Sequence, residues 1–467
     1  MSGRVTPGLC LGLVVSLAGC VSSGSRPLPD GVSTQSSLGG LTRDPERLPN
    51  MPLPRETIDL NHGLDPTAVA ILAVLNSPDL VAKRAAAKVA AAQVFAAGLF
   101  PDPQVVLSLD VPTPGQSIGP GQFAQSAYGV VPSIDLATLI THSTALKAAR
   151  ASRRQVDLDL LWAEWSVAQQ ARVLAETIMA NEAKAKALTA FADIAAARSD
   201  QSTRALKARD ITSQVADADL ALKIDGQSQA GSAAAAAAKA RLDLNVLLGL
   251  DPTVQLPLAA AIAADWNMAR IAEARAALSR RRPDLMALQA GYQAQEAGLR
   301  KAVLAQFPLL NIGLNHAKDN TGIVSNGPTA TLTLPIFRSA RGPIAVQAAS
   351  RDQLRAEYQS RLDQTDAEVA ADVAQRTNAE TQALLLAEEL PELARIDGAA
   401  QQAWRRGDLD GLGYVTLAQA YLTKEGDLQD RRLAARLAEI SLEGALFLPP
   451  TSFAAPLGRQ DSVEGHP

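Results

Sequence analysis

At 467 residues the length alone admits two or three globular domains, yet aromatic residues are only 4% of the chain, charged residues 20%, and alanine dominates. Cores of that size need more large side chains, whereas alanine-rich sequences suit long, closely approaching helices. A formal net charge of −4 with no long run of like charge offers nothing to attract nucleic acid. Both cysteines, Cys10 and Cys20, lie in the first 20 residues, so the rest of the chain has no disulfide framework and no cysteine metal cluster.

Arg4 and the short apolar run Leu9 to Ala18 have the form of an export signal, too short to span a bilayer. Leu17-Ala18-Gly19-Cys20 resembles a bacterial lipobox, which implies cleavage after residue 19 and acylation of Cys20. The absence of aspartate just after the cysteine implies outer-membrane sorting. An ordinary signal peptide cut near Ala18 is the other reading. Residues 20–64 are rich in Pro, Gly and Ser and read as a lipid-anchored extended tether.

A first repeat is expected over 65–250. Its first helix runs from Asp65 to about Leu99 and stops at Phe100-Pro101. Val105, Leu107, Leu109 and Val111 then alternate with Val106, Ser108 and Asp110, which predicts a strand over about 103–112. A Pro/Gly loop leads to a return strand over about 122–132. A proline-free stretch from about Asp135 to Ala197 predicts a helix of roughly 90 Å. Leu158, Leu161, Trp165 and Ala168 keep heptad spacing, Arg172 breaks the row, and Ala175 and Met179 resume it. Polar residues Ser199 to Arg209 read as a turn, followed by a helix to about Leu248. A joint spans 251–270.

The second repeat, 271–448, copies this order. A helix with Leu285, Leu288, Tyr292, Leu299 and Ala302 on one face ends at Phe307-Pro308. Strands are expected over about 308–317 and 328–337, with Lys318 to Pro328 as their loop. A helix follows from Ser339 to Trp404, then a Gly-rich turn from Arg405 to Gly413 and a return helix to Leu448. Residues 449–467 read as a flexible tail. Pro78 and Pro283, Pro101 and Pro308, Pro132 and Pro335 lie 205, 207 and 203 residues apart. A repeat of that length marks a duplicated half-protein.

Each half therefore supplies two strands of about ten residues, with one apolar face and one carrying Ser, Asp, Asn and Thr. This is the alternation of a transmembrane barrel strand. Four strands cannot close around a pore, and open edges in lipid leave backbone groups unpaired. Period-2 alternation alone also fits two soluble hairpins capping a helical assembly.

Asn76-Ser-Pro-Asp-Leu80, Arg282-Pro-Asp-Leu285, the Phe-Pro stops, Leu334-Pro-Ile-Phe337 and Leu244-Asn-Val-Leu-Leu-Gly-Leu-Asp-Pro252 resemble the outer-membrane efflux protein family, the TolC-like channels, over about residues 65 to 448. The lipobox resembles the acylated branch. The fold class this implies is mainly α with a membrane β-barrel portion. Duplicated helix–β-hairpin–helix halves form a homotrimer with a periplasmic α-barrel and a shared 12-stranded β-barrel in outer-membrane lipid. It implies a passive channel, lipid-anchored in the cell outer membrane, that takes cargo from an inner-membrane pump through a periplasmic adaptor (membrane fusion protein). The pump supplies the energy, so no catalytic site and no cofactor is expected. The four scattered histidines lack ligand spacing, and no metal site is expected. A lipid-anchored periplasmic coiled-coil adaptor or scaffold without a barrel is the competing reading.

In the family the tunnel narrows where the helix turns meet. The family's aspartate pattern there does not map onto Gly413-Tyr-Val-Thr-Leu-Ala-Gln419. Asp408 and Asp410, just upstream, are the candidates for a constriction ring; solvated turn or cap positions are the alternative. Asp200, Arg209 and Asp210 fall near the same tip in the first half, with Arg209 a candidate latch to an acidic neighbour.

Overall fold

The computed structural model describes residues 24–55, 58–60, 62–260, 268–307, 309–333 and 341–450. The chain divides into two units, Met1–Thr34 and Gln35–Pro467. In the first, the described residues 24–34 are exposed and form no helix or strand.

Two parallel sequences of elements follow one another. The first is α1 (Pro66–Asn76), α2 (Pro78–Gly98), β1 (Gln104–Asp110), a small hairpin of β2 (Ser117–Gly119) and β3 (Gln122–Phe123), β4 (Ala127–Asp135), α3 (Leu136–Ala208) and α4 (Ser213–Leu248). The second is α5 (Met268–Ala276), α6 (Leu278–Arg281), α7 (Pro283–Leu304), β5 (Leu309–Lys318), β6 (Val324–Thr333), α8 (Arg341–Arg406) and α9 (Gly411–Leu446). At 73 residues α3 is about 110 Å long, and α8 at 66 residues about 100 Å. Among the described residues no helix is long and apolar enough to cross a membrane.

The helix expected over Asp65 to Leu99 is two helices. Asp65 caps α1, accepting from the Ala68 N–H at 2.7 Å. Pro78 then opens α2 at its first position, where its missing N–H is no loss. The polar stretch expected as a turn, Ser199 to Arg209, is helical to Ala208, and the turn is confined to 209–212. Arg209 ends α3 in the left-handed conformation at φ 66. The second-half turn is likewise shorter than expected, because α9 already starts at Gly411.

The tether expected over 20–64 is bound along its second half. Leu41, Leu48, Met51, Ile58 and Leu64 are buried with α1, with Trp165, Ala168, Ala175 and Ile178 of α3, and with Leu244 and Leu248 of α4. Pro, Gly and Ser limit regular structure there to two single-turn 3-10 helices, Leu38–Gly40 and Pro45–Arg47, while these five apolar side chains hold the segment as a strap. Asn76 fastens it by accepting from Thr42 N at 2.8 Å and donating to Thr42 O at 2.9 Å. In the second half, Ile271 and Ala274 of α5 and Leu278 of α6 cover Val369 of α8 and Leu442 and Leu446 of α9.

In each half a return helix ends where the shorter helix begins. Gly249, at φ +68 beyond α4, lies so close to Pro78 that a Cβ there would sit 3.1 Å from Pro78 Cγ. Arg282, just before α7, donates to the Ala445 carbonyl of α9 at 3.3 Å. The short and long helices thus form end-to-end columns beside α3 and α8.

Candidate functional site

Two features bear on a channel: the sheet, and the far ends of the long helices. The strands pair antiparallel in the order β1-β4-β5-β6. Both outer strands, β1 and β6, leave an edge unpaired among the described residues, a configuration that recruits another strand. Return strands are displaced from their expected ranges. β4 starts at Ala127 and runs through Pro132 to Asp135, and β6 starts at Val324 and includes Gly327 and Pro328. Pro328 sits within β6 opposite Leu314, where its missing N–H leaves the strand one donor short. Pro132 is not at an edge, and β4–β5 pairing skips from Val130↔His316 to Ser133↔Gly313 around it.

The register assigns every residue to a face. One face gathers Val105, Leu107 and Leu109; Tyr128, Val130, Pro132 and Ile134; Leu310, Ile312 and Leu314; and Ala330 and Leu332. It turns polar only near one end, at His316, Lys318 and Asn326. There Tyr128 and His316 pack with ring centroids 5.9 Å apart. The other face holds Gln104, Ser108, Asp110, Ser133, Asp135, Asn311, Asn315, Ser325, Thr329, Thr331 and Thr333, with Val106, Val131, Ala127 and Ala317 among them. Among the described residues its charges are all carboxylates. Among the described residues no layer covers the apolar face: Leu107 and Leu109 are each 71% exposed and Leu314 66%. Water does not tolerate such a contiguous apolar sheet without a partner or a lipid phase.

At the helix tip, Phe191, Ala400, Tyr414, Val415 and Ala418 form a small core, with Trp404 stacked on Tyr414 at 5.0 Å and 10°. Asp410 caps α9, accepting from Gly413 N at 2.6 Å. Asp408 is exposed and pairs with Arg406 at 2.9 Å. Asp200 lies 3.5 Å from Lys223. Arg209 and Asp210 are exposed in the α3–α4 turn, and Arg209 forms no ion pair among the described residues. The buried pair at the tip is a different one. Arg198 of α3 reaches Asp219 of α4 at 3.0 Å, and the Asp219 side chain is fully buried. The Ser202 hydroxyl also donates to it, and Gly411 leaves the space that the Arg198 guanidinium fills. A sequence signal existed: Asp219 falls in the buried alanine stripe of Ala216, Ala230, Ala233, Ala237 and Ala240, where an acid requires a partner.

A second buried pair joins the two halves. Arg172 Nη1 lies 2.6 Å from Glu443 Oε2, both side chains at most 1% exposed. Arg172 is the residue that interrupts the heptad row of α3. Cys20 and Leu334-Pro-Ile-Phe337 lie outside the described residues.

No family model matches the chain, and no curated protein matches it. Solved structures do. The outer-membrane channel OprN is 15% identical, with 93% of this chain and 100% of that one covered at a TM-score of 0.68. The Campylobacter jejuni outer membrane channel CmeC is 15% identical, with coverage of 82% and 85% and a TM-score of 0.67. CusC, described in terms of transmembrane channel formation, is 17% identical, with coverage of 85% and 97% and a TM-score of 0.66. At these identities the likeness establishes a shared fold, mainly helical with a small antiparallel sheet.

Proposed function

We propose that this chain is the channel subunit of a tripartite export system in the outer membrane. Three copies set β6 of one against β1 of the next and close a 12-stranded barrel, with the apolar face toward lipid and the Ser/Thr/Asn face toward the lumen. The long helices of the three copies continue as a periplasmic α-barrel tunnel. Cargo, small molecules or ions, arrives from an inner-membrane pump through a periplasmic adaptor, and the pump does the work, so the channel carries out no catalysis. Acylated Cys20 anchors each chain to the membrane. An intact mass of the mature chain without diacylglycerol on that cysteine removes the anchor from the proposal.

The observation that carries this reading is the four-stranded sheet with two unpaired edges and an uncovered apolar face. In lipid every backbone polar group needs a partner, and only a sister sheet supplies the missing ones. Purified protein should cross-link as a trimer and give stepwise conductance in planar bilayers. A stable lone protomer without conductance sinks the reading.

The tip is the proposed gate. Three copies each of Asp408 and Asp410 would ring the turns, and Arg198–Asp219 would hold α3 against α4 behind them. Asp408→Ala with Asp410→Ala is expected to lower cation preference and change single-channel conductance. Unchanged reversal potential and conductance would exclude both residues from the constriction.

A further inference from the structure

The two hairpins of long helices differ in one respect that bears on motion. Pro391 lies inside α8, 15 residues before Arg406, where that helix ends. Gly426 lies inside α9, 15 residues after Gly411, where that helix begins. In an antiparallel hairpin this puts both at one level, about 22 Å from the turn. Pro391 has no N–H to give the Ala387 carbonyl, so the ladder of α8 lacks one hydrogen bond there. Glycine is the weakest helix former after proline, and no atom lies within 4 Å of where a Cβ on Gly426 would stand, so packing does not call for it. The first hairpin has no such level. α3 runs through 73 residues with neither proline nor glycine. α4 contains Gly226 and Gly231, but a hairpin bends only where both of its helices yield.

Polar ties between α9 and α3 stop just short of that level. Trp165 donates to the Gly444 carbonyl at 3.0 Å. Arg172 lies 2.6 Å from Glu443, Glu176 3.1 Å from Arg436, and Lys184 2.7 Å from Asp430. Asp430 is the last of them. Among the described residues no ion pair or hydrogen bond joins residues 392–425 to α3 or α4. The polar contacts of this segment are its own: Arg395 with Glu392 at 2.5 Å, Gln401 with Tyr414 at 3.4 Å, Arg406 with Asp408 at 2.9 Å, and the Asp410 cap.

What holds the segment against the first repeat is apolar. Tyr414, Val415 and Ala418 pack with Phe191, and Ile194 and Leu222 close the edge of that small core. Gly411 lies against the Arg198 guanidinium without bonding it. Apolar contacts carry no direction and tolerate sliding, whereas an ion pair at 2.6 Å does not. Within the segment the two helices are joined to each other: Trp404 stacks on Tyr414 at 5.0 Å. They therefore form one body, coherent inside and loosely held outside, the character of a unit that moves at low free-energy cost. A proline that served only to curve α8 would need no weak point at the same level of α9, nor would the polar ties end there.

We infer that residues 392–425 form an arm hinged at Pro391 and Gly426, which swings on the apolar contact at Phe191 while α9 from Asp430 onward stays clamped to α3. The arm carries Asp408 and Asp410. In the proposed channel its swing moves that ring, and the first hairpin, stiff and tied within itself by Arg198–Asp219, stays in place. The inference rests on the channel reading for what the motion does, and on the helix break and the distribution of ties for the motion itself.

The test measures distances between nitroxide labels in the full-length protein in detergent, diluted with unlabelled chain so that one copy per assembly reports. One pair sits below the hinge, Gln201→Cys with Gln402→Cys, and one above it, Ala183→Cys with Thr381→Cys, all at exposed positions. The upper pair is expected to give one narrow distance and the lower pair two populations. Pro391→Ala with Gly426→Ala restores both helices and should cut the second population about tenfold. Tyr414→Ala loosens the apolar hold and should raise it; if that variant unravels the tip, Val415→Ala gives the smaller rise expected of the same contact. A lower pair as narrow as the upper one, or a distribution indifferent to Pro391→Ala with Gly426→Ala, overturns the hinge. The distances are read whether or not the protein conducts, so the two levels separate. An arm that moves in a protein without conductance keeps the hinge and removes the channel. Conductance with a rigid lower pair removes the hinge alone.

Discussion

Glu443→Ala is expected to destabilise the subunit by about 3–5 kcal/mol, because it strands a buried guanidinium. Arg172 is 1% exposed and Glu443 0%. Beyond Glu443, Arg172 has a hydrogen bond to Gln169 Oε1 at 2.9 Å, and a neutral amide does not neutralise it. Aromatic side chains pack beside the pair. Trp165 donates to the Gly444 carbonyl at 3.0 Å, and its ring meets Phe447 edge-on at 5.1 Å. Arg172 belongs to α3 and Glu443 to α9, so the damage falls on the seam between the repeats. The double replacement Arg172→Met with Glu443→Leu should recover most or all of the loss, since apolar groups of similar volume often match or exceed a buried ion pair. Urea midpoints at unchanged slope are the measurement. A single variant within about 1 kcal/mol of wild type would mean that water reaches the pair and that it holds nothing together.

That pair marks the boundary of what the sequence made legible. The interruption at Arg172 is visible in the heptad row, but Glu443 is 271 positions away and no local spacing connects them. Long helices were legible for the opposite reason: periodicity and the absence of proline act locally over many turns. Ser199 and Ser202 are polar, and such runs read as loops, yet both are buried and Ser202 serves Asp219. Tertiary partners there override a weak local preference. The helix then ends at Arg209, a non-glycine in a left-handed conformation that composition does not announce, whereas Gly407 at φ 82 in the other half does. At Asn76-Ser77-Pro78 the signal was present. A polar pair followed by a proline at the first helical position starts a new helix, but the apolar runs on either side, Ala68 to Leu75 and Leu80 onward, read as one. The apolar and polar strand faces were legible from alternation alone. Their extents were not, because Gly327 and Pro328 are turn residues by composition and yet lie inside β6. Of the tip residues singled out from sequence, Asp410 emerges as a cap and Asp408 as half of an exposed pair. The buried Arg198–Asp219 contact joins residues 21 positions apart on two helices, and its one sequence mark is an acid set in an alanine stripe.

Gly313→Val tests the sheet, and strand propensity and geometry disagree about it. Valine is among the best strand formers and glycine among the worst, so propensity alone forecasts a gain of up to about 1 kcal/mol. The structure forecasts failure. Gly313 lies buried on the polar face between β4 and β6. A Cβ there would stand 2.6 Å from the Pro132 carbonyl oxygen, 3.0 Å from Ser133 Cβ and 3.0 Å from Thr329 Oγ1. The first of these is backbone, and Pro132 already interrupts the β4–β5 ladder, so the strands must part at their weakest point. Overpacking of this kind costs about 1–3 kcal/mol in a core. In a barrel it also unpairs backbone groups facing lipid, at several kcal/mol each. The expected result is a chain that keeps its helical circular dichroism, since the sheet lies apart from the helical cores, but forms no trimer on a semi-native gel and no pores in bilayers. Leu314→Val, one residue along on the apolar face, keeps a lipid-compatible side chain at a 66% exposed position and should assemble normally. Wild-type conductance from Gly313→Val would show that β4 and β5 do not approach as closely as the register requires, and the closed barrel built on that register would fall with it.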